Sequence, residues 1–235
     1  MKDFFLNGFR LLAALVSDVF WHVFFTPKAV GSGNIPKKGG VIVACNHLSH
    51  FDPMFVGYHV LNSFGRFSSR QIWSPAKEEL FQIPVLGFLI RMLRSFPIKR
   101  GKADLKSLGK ITELAKEHLV IIYPEGTRSP DGTLGRGKSA IGKIVFDSRA
   151  TVVPAAIFNT QYCLPKGSRK PRFFLPLSVV FGKPLNLSKY LQMPDCKETS
   201  KAITDEIMRA IAELQKEHAH LDISTKGSAR VCETN

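Results

Sequence analysis

The residues of this chain best suited to chemistry stand together as Asn46-His47-Leu48-Ser49-His50-Phe51-Asp52, directly after the apolar run Val41-Ile42-Val43-Ala44-Cys45. A short β-branched run that gives way to polar residues reads as a buried strand, one that delivers its last side chains to a sheet edge. In α/β proteins that edge is where ligands and chemistry sit. An imidazole exchanges protons near neutral pH. A carboxylate a few residues on can fold back onto one ring nitrogen and leave the other free to take a proton. His47 and Asp52 are therefore a candidate general base and its orienter. A second reading stays open: Asp52 followed by Pro53 is a good helix start, with the carboxylate serving as a cap.

A second apolar run, Leu119-Val120-Ile121-Ile122-Tyr123, ends in Pro124-Glu125-Gly126-Thr127-Arg128-Ser129. Pro124 and Gly126 stop the strand and make a turn in which backbone N–H groups and Arg128 can face a ligand together, an arrangement suited to an anion. Between the two lies Ser95-Phe96-Pro97-Ile98-Lys99-Arg100-Gly101, which offers another arginine. The fourth such segment is Thr151-Val152-Val153-Pro154-Ala155-Ala156-Ile157.

In this order the four segments resemble the signature blocks of the 1-acylglycerol-3-phosphate acyltransferase family, glycerolipid acyltransferases with an H-x-x-x-x-D motif. The resemblance rests on Asn46, His47, Ser49 and Asp52, then Phe96 with Arg100, then Pro124 to Ser129, then Val153-Pro154, and it spans roughly residues 35 to 185. H-x-x-x-x-D alone is a weak signal, whereas both motifs in this order and at this separation are specific. The resemblance implies transfer of a fatty acyl group from an acyl thioester to the free hydroxyl of lysophosphatidic acid, giving phosphatidic acid for phospholipid synthesis. Acyl-CoA or acyl carrier protein would be the co-substrate, with no separate cofactor and no metal. An alcohol is a poor nucleophile, so His47 would take its proton while Asp52 holds the tautomer and stabilises the imidazolium. No acyl-enzyme is required, because the acceptor is itself the nucleophile.

Carried over residue by residue, Arg100 and the turn Glu125-Gly126-Thr127-Arg128 would hold the acceptor's glycerol phosphate, with the two guanidinium groups forking onto phosphate oxygens. An ionised Glu125 is no phosphate ligand. It would orient an arginine or the glycerol backbone, or else cap the turn. Pro154 reads as packing and His50 as a surface residue. Glycerol 3-phosphate and other lysophospholipids stay open as acceptors. A catalytically silent lipid- or nucleic-acid-binding module is the alternative from another class, and the intact His47 and Asp52 argue against it.

Where members of that family usually show an aromatic, a lysine and then a glycine, this chain reads Leu134-Gly135-Arg136-Gly137-Lys138-Ser139. The same stretch from Gly132 to Ser139 satisfies the P-loop expression, but a P-loop follows its strand directly, and here the Pro124–Ser129 turn intervenes. No G-x-S-x-G elbow is present. Cys45, Cys163, Cys196 and Cys232 show no metal-ligand or paired spacing and read as reduced thiols.

With 235 residues, 44% hydrophobic and 22% charged, the chain suits one sizeable core. Strands are expected near 41–45, 70–74, 95–98, 119–123, 151–158 and 173–181, and helices near 52–62, 78–93, 102–118, 138–149 and 196–217. This alternation predicts an α/β fold, a single layered domain with a largely parallel central sheet flanked by helices. The expected organisation is an N-terminal amphipathic segment over 1–30, the catalytic domain over 31–220 and a polar tail over 221–235.

A net charge of +14 demands an anionic partner, nucleic acid or membrane. Basic residues concentrate at Arg91, Arg94, Lys99, Arg100, Lys102, Lys106 and Lys110, and at Lys166, Arg169, Lys170 and Arg172. No helix-turn-helix, zinc finger or RRM aromatic motif appears, so nucleic acid is not expected. On a helical wheel over 4–25, Phe5, Phe9, Leu12, Val16, Val19, Phe20 and Val23 share a face opposite Asn7, Arg10, Ser17 and Asp18. Such a helix lies in the membrane interface, or alternatively packs on the protein's own core. The apolar segment Leu80 to Ile90 reads either as a second membrane-facing element or as a core helix. The expected location is the cytoplasmic face of the inner membrane, peripheral or monotopic, in contact with membrane phospholipids.

Overall fold

The computed structural model describes residues 15–65, 68, 70–92, 94–98, 105–129, 131–164 and 170–224. Residues 1–14, with Phe5, Asn7, Phe9, Arg10 and Leu12, lie outside the described residues. So do Lys99, Arg100, Lys102, Lys166, Arg169 and the tail from 225 onward.

The described strands are β1 (Lys28–Val30), β2 (Val41–Cys45), β3 (Ile72–Lys77), β4 (Ser95–Ile98), β5 (Leu119–Ile122), β6 (Thr151–Phe158) and β7 (Ser178–Phe181). They form one sheet in the order β1-β7-β6-β2-β5-β3-β4. The β6–β7 pair is antiparallel and the other described pairs are parallel. From β2 the chain builds outward through β3, β4 and β5 on one side and returns to β6 and β7 on the other, so β2 stands at the switch point of the sheet. Open α/β sheets bind their ligands beyond the C-terminal ends of such strands.

The helices are α1 (residues 15–24), α2 (Asp52–Phe64), α3 (Pro84–Met92), α4 (Leu105–Glu117), α5 (Ser139–Ser148), α6 (Thr160–Cys163), α7 (Ser188–Leu191) and α8 (Lys197–Glu217). Strand alternation sends Val43, Cys45, Ile121 and Val153 to one face, against Trp21, Phe25 and Phe55 of the α1 and α2 layer. Ile42, Ala44, Val120 and Ile122 face the other way, onto Ile144 of α5 and the Ile203, Ile207, Ile211 stripe of α8. Both faces of the sheet are covered. This is why its central strands read as unbroken apolar runs rather than alternating ones. The α5–α8 crossing is set by Gly142, where an added Cβ would fall 1.8 Å from the Ser200 carbonyl oxygen.

Several expected boundaries move. The strand expected at 70–74 is Ile72–Lys77, because Pro75 does not end it: β3 pairs with β5 only through Ile72 and Trp73, and beyond them has β4 alone as neighbour. A proline on a strand with one free side removes no ladder bond there. The strand expected from 173 begins only at Ser178. Phe174 stands at φ 60°, a left-handed backbone incompatible with extended pairing. The helix expected over 78–93 splits into a 3-10 turn, Glu78–Gln82, and α3, which opens at Pro84. Phe81 of the 3-10 turn is buried, while Ile83 in the link and Phe88 of α3 are exposed. The three-residue edge strand β1 had no sequence signal.

α1 packs Trp21 inward against Phe55 and Tyr58 of α2, with Phe25 just past its end against Trp21, and the Tyr58 hydroxyl donates to Asp18 at 2.8 Å. Val16, Val19 and Val23 are exposed on the opposite side. The helix thus has an apolar face that anchors it and a second apolar face turned outward. Among the described residues no helix is long and apolar enough to cross a membrane.

Candidate active site

The parallel register puts Ala44 beside Ile122 of β5 and Pro154 of β6, so the residues that follow these three strands emerge side by side. The loop after β2 carries Asn46 to Phe51. Asn46 is fixed to β6 by two bonds with Ile157, its amide donating to the carbonyl at 3.0 Å and its oxygen accepting from the N–H at 2.7 Å.

Asp52 lies in the first turn of α2, and the N-cap position falls to Phe51, which makes no side-chain cap. The carboxylate instead turns back over the loop. Its Oδ2 accepts from the His47 ring at Nδ1 (2.8 Å) and from the N–H groups of Leu48 (2.6 Å) and Ser49 (2.8 Å). Oδ1 accepts from the Thr160 hydroxyl at 2.5 Å. A buried carboxylate is tolerated only when its lone pairs are filled in this way, and the helix N-terminus adds a favourable dipole. Of the two readings open in the sequence, the cap fails and the orienter stands: Asp52 lies in the first turn of the helix, but its carboxylate serves the histidine and the preceding loop instead of the helix N–H groups. With Nδ1 donating to the carboxylate, Nε2 is the ring nitrogen with a lone pair left to accept a proton.

The His47 ring also stacks on Tyr123, centroids 4.1 Å apart and planes inclined by 22°. Burial, and after it the Asp52 charge, pushes the Tyr123 hydroxyl well above its ordinary value, and the same two causes raise the Cys45 thiol. Both neighbours therefore stay neutral near pH 7.

The turn after β5 closes with the Gly126 N–H donating to the Tyr123 carbonyl at 2.9 Å, and Gly126 takes the positive φ of 68° that its missing Cβ permits. The next residues fold back onto the catalytic loop, where the Ser129 N–H donates to the His47 carbonyl at 2.7 Å. Glu125 is buried. Its Oε1 accepts from the His47 backbone N–H at 3.1 Å and its Oε2 from that of Gly135 at 3.0 Å, so one carboxylate ties His47 to the loop over 132–138. Thr127 is exposed and Arg128 half-buried. Among the described residues none hydrogen-bonds the Arg128 guanidinium, which leaves its fork for an anion.

Of the residues singled out from sequence, the structure unites His47, Asp52, Glu125, Gly126, Thr127 and Arg128 around the ends of β2 and β5; Arg100 lies outside the described residues. It adds three that spacing did not reveal. Tyr123 was visible only as the end of a strand. Thr160 reaches Asp52 across 108 positions of sequence. Lys138 lies so near the turn that a Cβ on Gly126 would stand 2.7 Å from its Nζ. A cavity of about 210 Å³ is lined by Leu48, next in sequence to His47, and by Thr133, Leu134, Ile157, Gln161 and Asp222 among others. The P-loop reading finds no support in position, since β5 ends at Ile122 and α5 opens only at Ser139. Cys45, Cys163 and Cys196 are free thiols, and among the described residues no cluster of His, Cys, Asp and Glu could hold a metal ion.

Comparison with known proteins agrees with this geometry. The chain is 28% identical over 217 residues to the 1-acyl-sn-glycerol-3-phosphate acyltransferase of Bacillus subtilis, covering 92% of this chain and 97% of that one. It is 29% identical to a chloroplastic 1-acyl-sn-glycerol-3-phosphate acyltransferase of Arabidopsis thaliana over 77% of this chain, and spans 49% of that longer relative. The crystal structure of the 1-acyl-sn-glycerophosphate acyltransferase of Thermotoga maritima superposes with a TM-score of 0.61 at 23% identity, covering 90% of both chains, and shares the fold. Residues 27–158, more than half of the chain and the span that carries His47, Asp52 and Glu125 to Arg128, match the family Acyltransferase, and this protein belongs to it.

Proposed function

We propose that this acyltransferase moves a fatty acyl group from an acyl thioester, carried by coenzyme A or acyl carrier protein, to the free hydroxyl of 1-acylglycerol 3-phosphate, giving phosphatidic acid. The observation that carries the reading is the His47–Asp52 pair at 2.8 Å, on a loop that the Ser129 N–H ties to the turn carrying Arg128, whose guanidinium no described residue hydrogen-bonds. His47 Nε2 takes the hydroxyl proton as the oxygen attacks the thioester carbonyl. The tetrahedral adduct collapses by breaking its C–S bond, and the imidazolium returns its proton to the departing thiolate. Asp52 stabilises the imidazolium between the two transfers.

Arg128 receives the acceptor phosphate, with Arg100 and Lys138 as further cations. Glu125 acts through the backbone N–H groups it holds rather than on the phosphate. The thioester is a co-substrate, and the transfer as written needs no cofactor and no metal.

The protein works at a membrane surface, on the cytoplasmic face of the inner membrane. Support comes from the outward stripe Val16, Val19 and Val23 on α1, and from Phe173 and Phe174 beside it, with Phe24 and Phe173 rings 5.1 Å apart. A net charge of +14 adds attraction to anionic phospholipid. A cleft of about 380 Å³ lined by Trp73, Phe81 and Phe96, with Arg91 and Lys110 among its cations, lies on the segment leading to Arg100 and suits an acyl chain.

The test offers one acyl thioester to the full chain on anionic vesicles with lysophosphatidic acid, glycerol 3-phosphate or lysophosphatidylglycerol in turn, products being read by mass spectrometry. Phosphatidic acid forming at least tenfold faster than the other products is expected. A faster reaction with either competitor would reassign the acceptor, and no acylated product from any would overturn the reading.

A further inference from the structure

The Asp52 carboxylate is oriented from two sides, and only one of them is local in sequence. Oδ2 is filled by His47, Leu48 and Ser49, all within five positions. Oδ1 has the Thr160 hydroxyl, fully buried and 2.5 Å away. A carboxylate with one filled oxygen can still rotate about its bond to Cβ. Filling the other from a fixed point removes that freedom and holds Oδ2 on the imidazole.

Thr160 is such a fixed point. It opens α6 immediately after Asn159, which is fully buried in the left-handed conformation at φ 72°. Asparagine is among the few residues that adopt this backbone readily. The Asn159 side chain is tied to three places: its amide donates to the carbonyls of Pro176 (2.6 Å) and Leu221 (2.8 Å), and its oxygen accepts from the Ile223 N–H at 3.1 Å. The corner after β6 is thus clamped to the segment before β7 and to the residues after α8.

We propose that Thr160 is a positioning residue for the acyl transfer: its hydroxyl locks the Asp52 carboxylate, and through it the tautomer and orientation of the His47 ring, while Asn159 holds Thr160 in place. This rests on the function proposed above, so its test includes a measurement that needs no substrate. The low-field proton of the His47 Nδ1–H bond is followed by NMR and assigned by its loss in Asp52→Ala. It moves upfield and exchanges faster with water in Thr160→Val, and stays unmoved in Thr160→Ser. Thr160→Ala repeats the test should the valine variant not fold.

In turnover, Thr160→Val lowers kcat about 10- to 100-fold, part of the roughly 10²- to 10⁴-fold that a general base supplies, with the acceptor KM within twofold. Thr160→Ser restores kcat to within threefold. In an Asp52→Ala background Thr160→Val adds less than a twofold loss, because residues acting as a unit are not additive. A proton resonance unchanged in both Thr160→Val and Thr160→Ala, or a kcat loss as large without Asp52 as with it, would overturn the assignment. An unaltered protein that shows the resonance but makes no phosphatidic acid would refute the proposed reaction and leave the positioning role standing.

Discussion

Glu125 is the residue whose chemistry and geometry pull furthest apart. In the P-E-G-T-R-S turn its charge suggests a substrate contact, yet both carboxylate oxygens are taken by backbone N–H groups, His47 at 3.1 Å and Gly135 at 3.0 Å. Glu125→Gln keeps the shape, leaves one accepting oxygen and sets an NH2 against the second N–H. His47 is buried and Gly135 exposed, so the amide turns its oxygen to His47 and releases Gly135 to water. Losing one bond to a charged acceptor and weakening the other costs about 2 kcal/mol, from about 1.5–3 for such a bond. With a urea slope of about 2 kcal/mol per molar the unfolding midpoint falls by about 1 M. Because the freed loop carries Lys138, the acceptor KM rises about threefold while kcat drops about tenfold. Urea unfolding followed by circular dichroism, alongside steady-state kinetics, measures all three. An unmoved midpoint together with an acceptor KM raised tenfold or more would show that Glu125 touches substrate and that the tie between base and loop is unimportant.

Other outcomes follow from the same geometry. Arg128→Ala removes charge-assisted bonds worth about 1.5–3 kcal/mol and raises the lysophosphatidic acid KM by about 10- to 100-fold, with kcat within threefold, in initial-rate measurements. Burial, and secondarily the His22 charge, lowers His59 to about 4 from 6.5, and its Nε2 is buried with no hydrogen-bond partner among the described residues. Above pH 6.5 both folded and unfolded forms are neutral, and below it the unfolded chain gains a proton the folded one refuses, so stability declines from pH 6.5 to about 4. At pH 5 this amounts to about 2 kcal/mol, and His59→Leu should remove that much of the loss between pH 7.5 and 5 in urea unfolding. Gly142→Ala places a methyl group 1.8 Å from the Ser200 carbonyl oxygen and should cost at least about 2 kcal/mol by the same method.

What could be read from sequence were the parts whose physics is local. The apolar runs 41–45, 119–122 and 151–158 form strands because both sheet faces are covered, and α8 shows its Ile203, Ile207, Ile211 stripe at helical spacing. His47 and Asp52 are five positions apart, and a single turn of chain joins them. The rest depends on long-range pairing. Pro75 ends a strand by local rules, and only the knowledge that β5 has already left its side makes it harmless. Tyr123 under the imidazole, Lys138 beside Gly126 and Thr160 on Asp52 come from other loops, and no periodicity marks them. Glu125 was legible as important but not in what it holds, because its partners are main-chain N–H groups that every sequence has. The wheel over α1 identified Val16, Val19 and Val23 as one face. It placed Asp18 opposite but could not show that Asp18 turns inward to Tyr58 while the valines face out.

All of this chemistry depends on one nitrogen, Nε2 of His47, relieving an alcohol of its proton. The decisive measurement is the rate of free thiol release from an acyl thioester in the presence and absence of lysophosphatidic acid, in the unaltered protein and in folded His47→Ala. The acceptor-dependent rate should fall at least about 10³-fold in the variant, a general-base contribution being typically 10²- to 10⁴-fold. Acceptor-dependent release within tenfold of the unaltered protein would mean that some other group takes the proton.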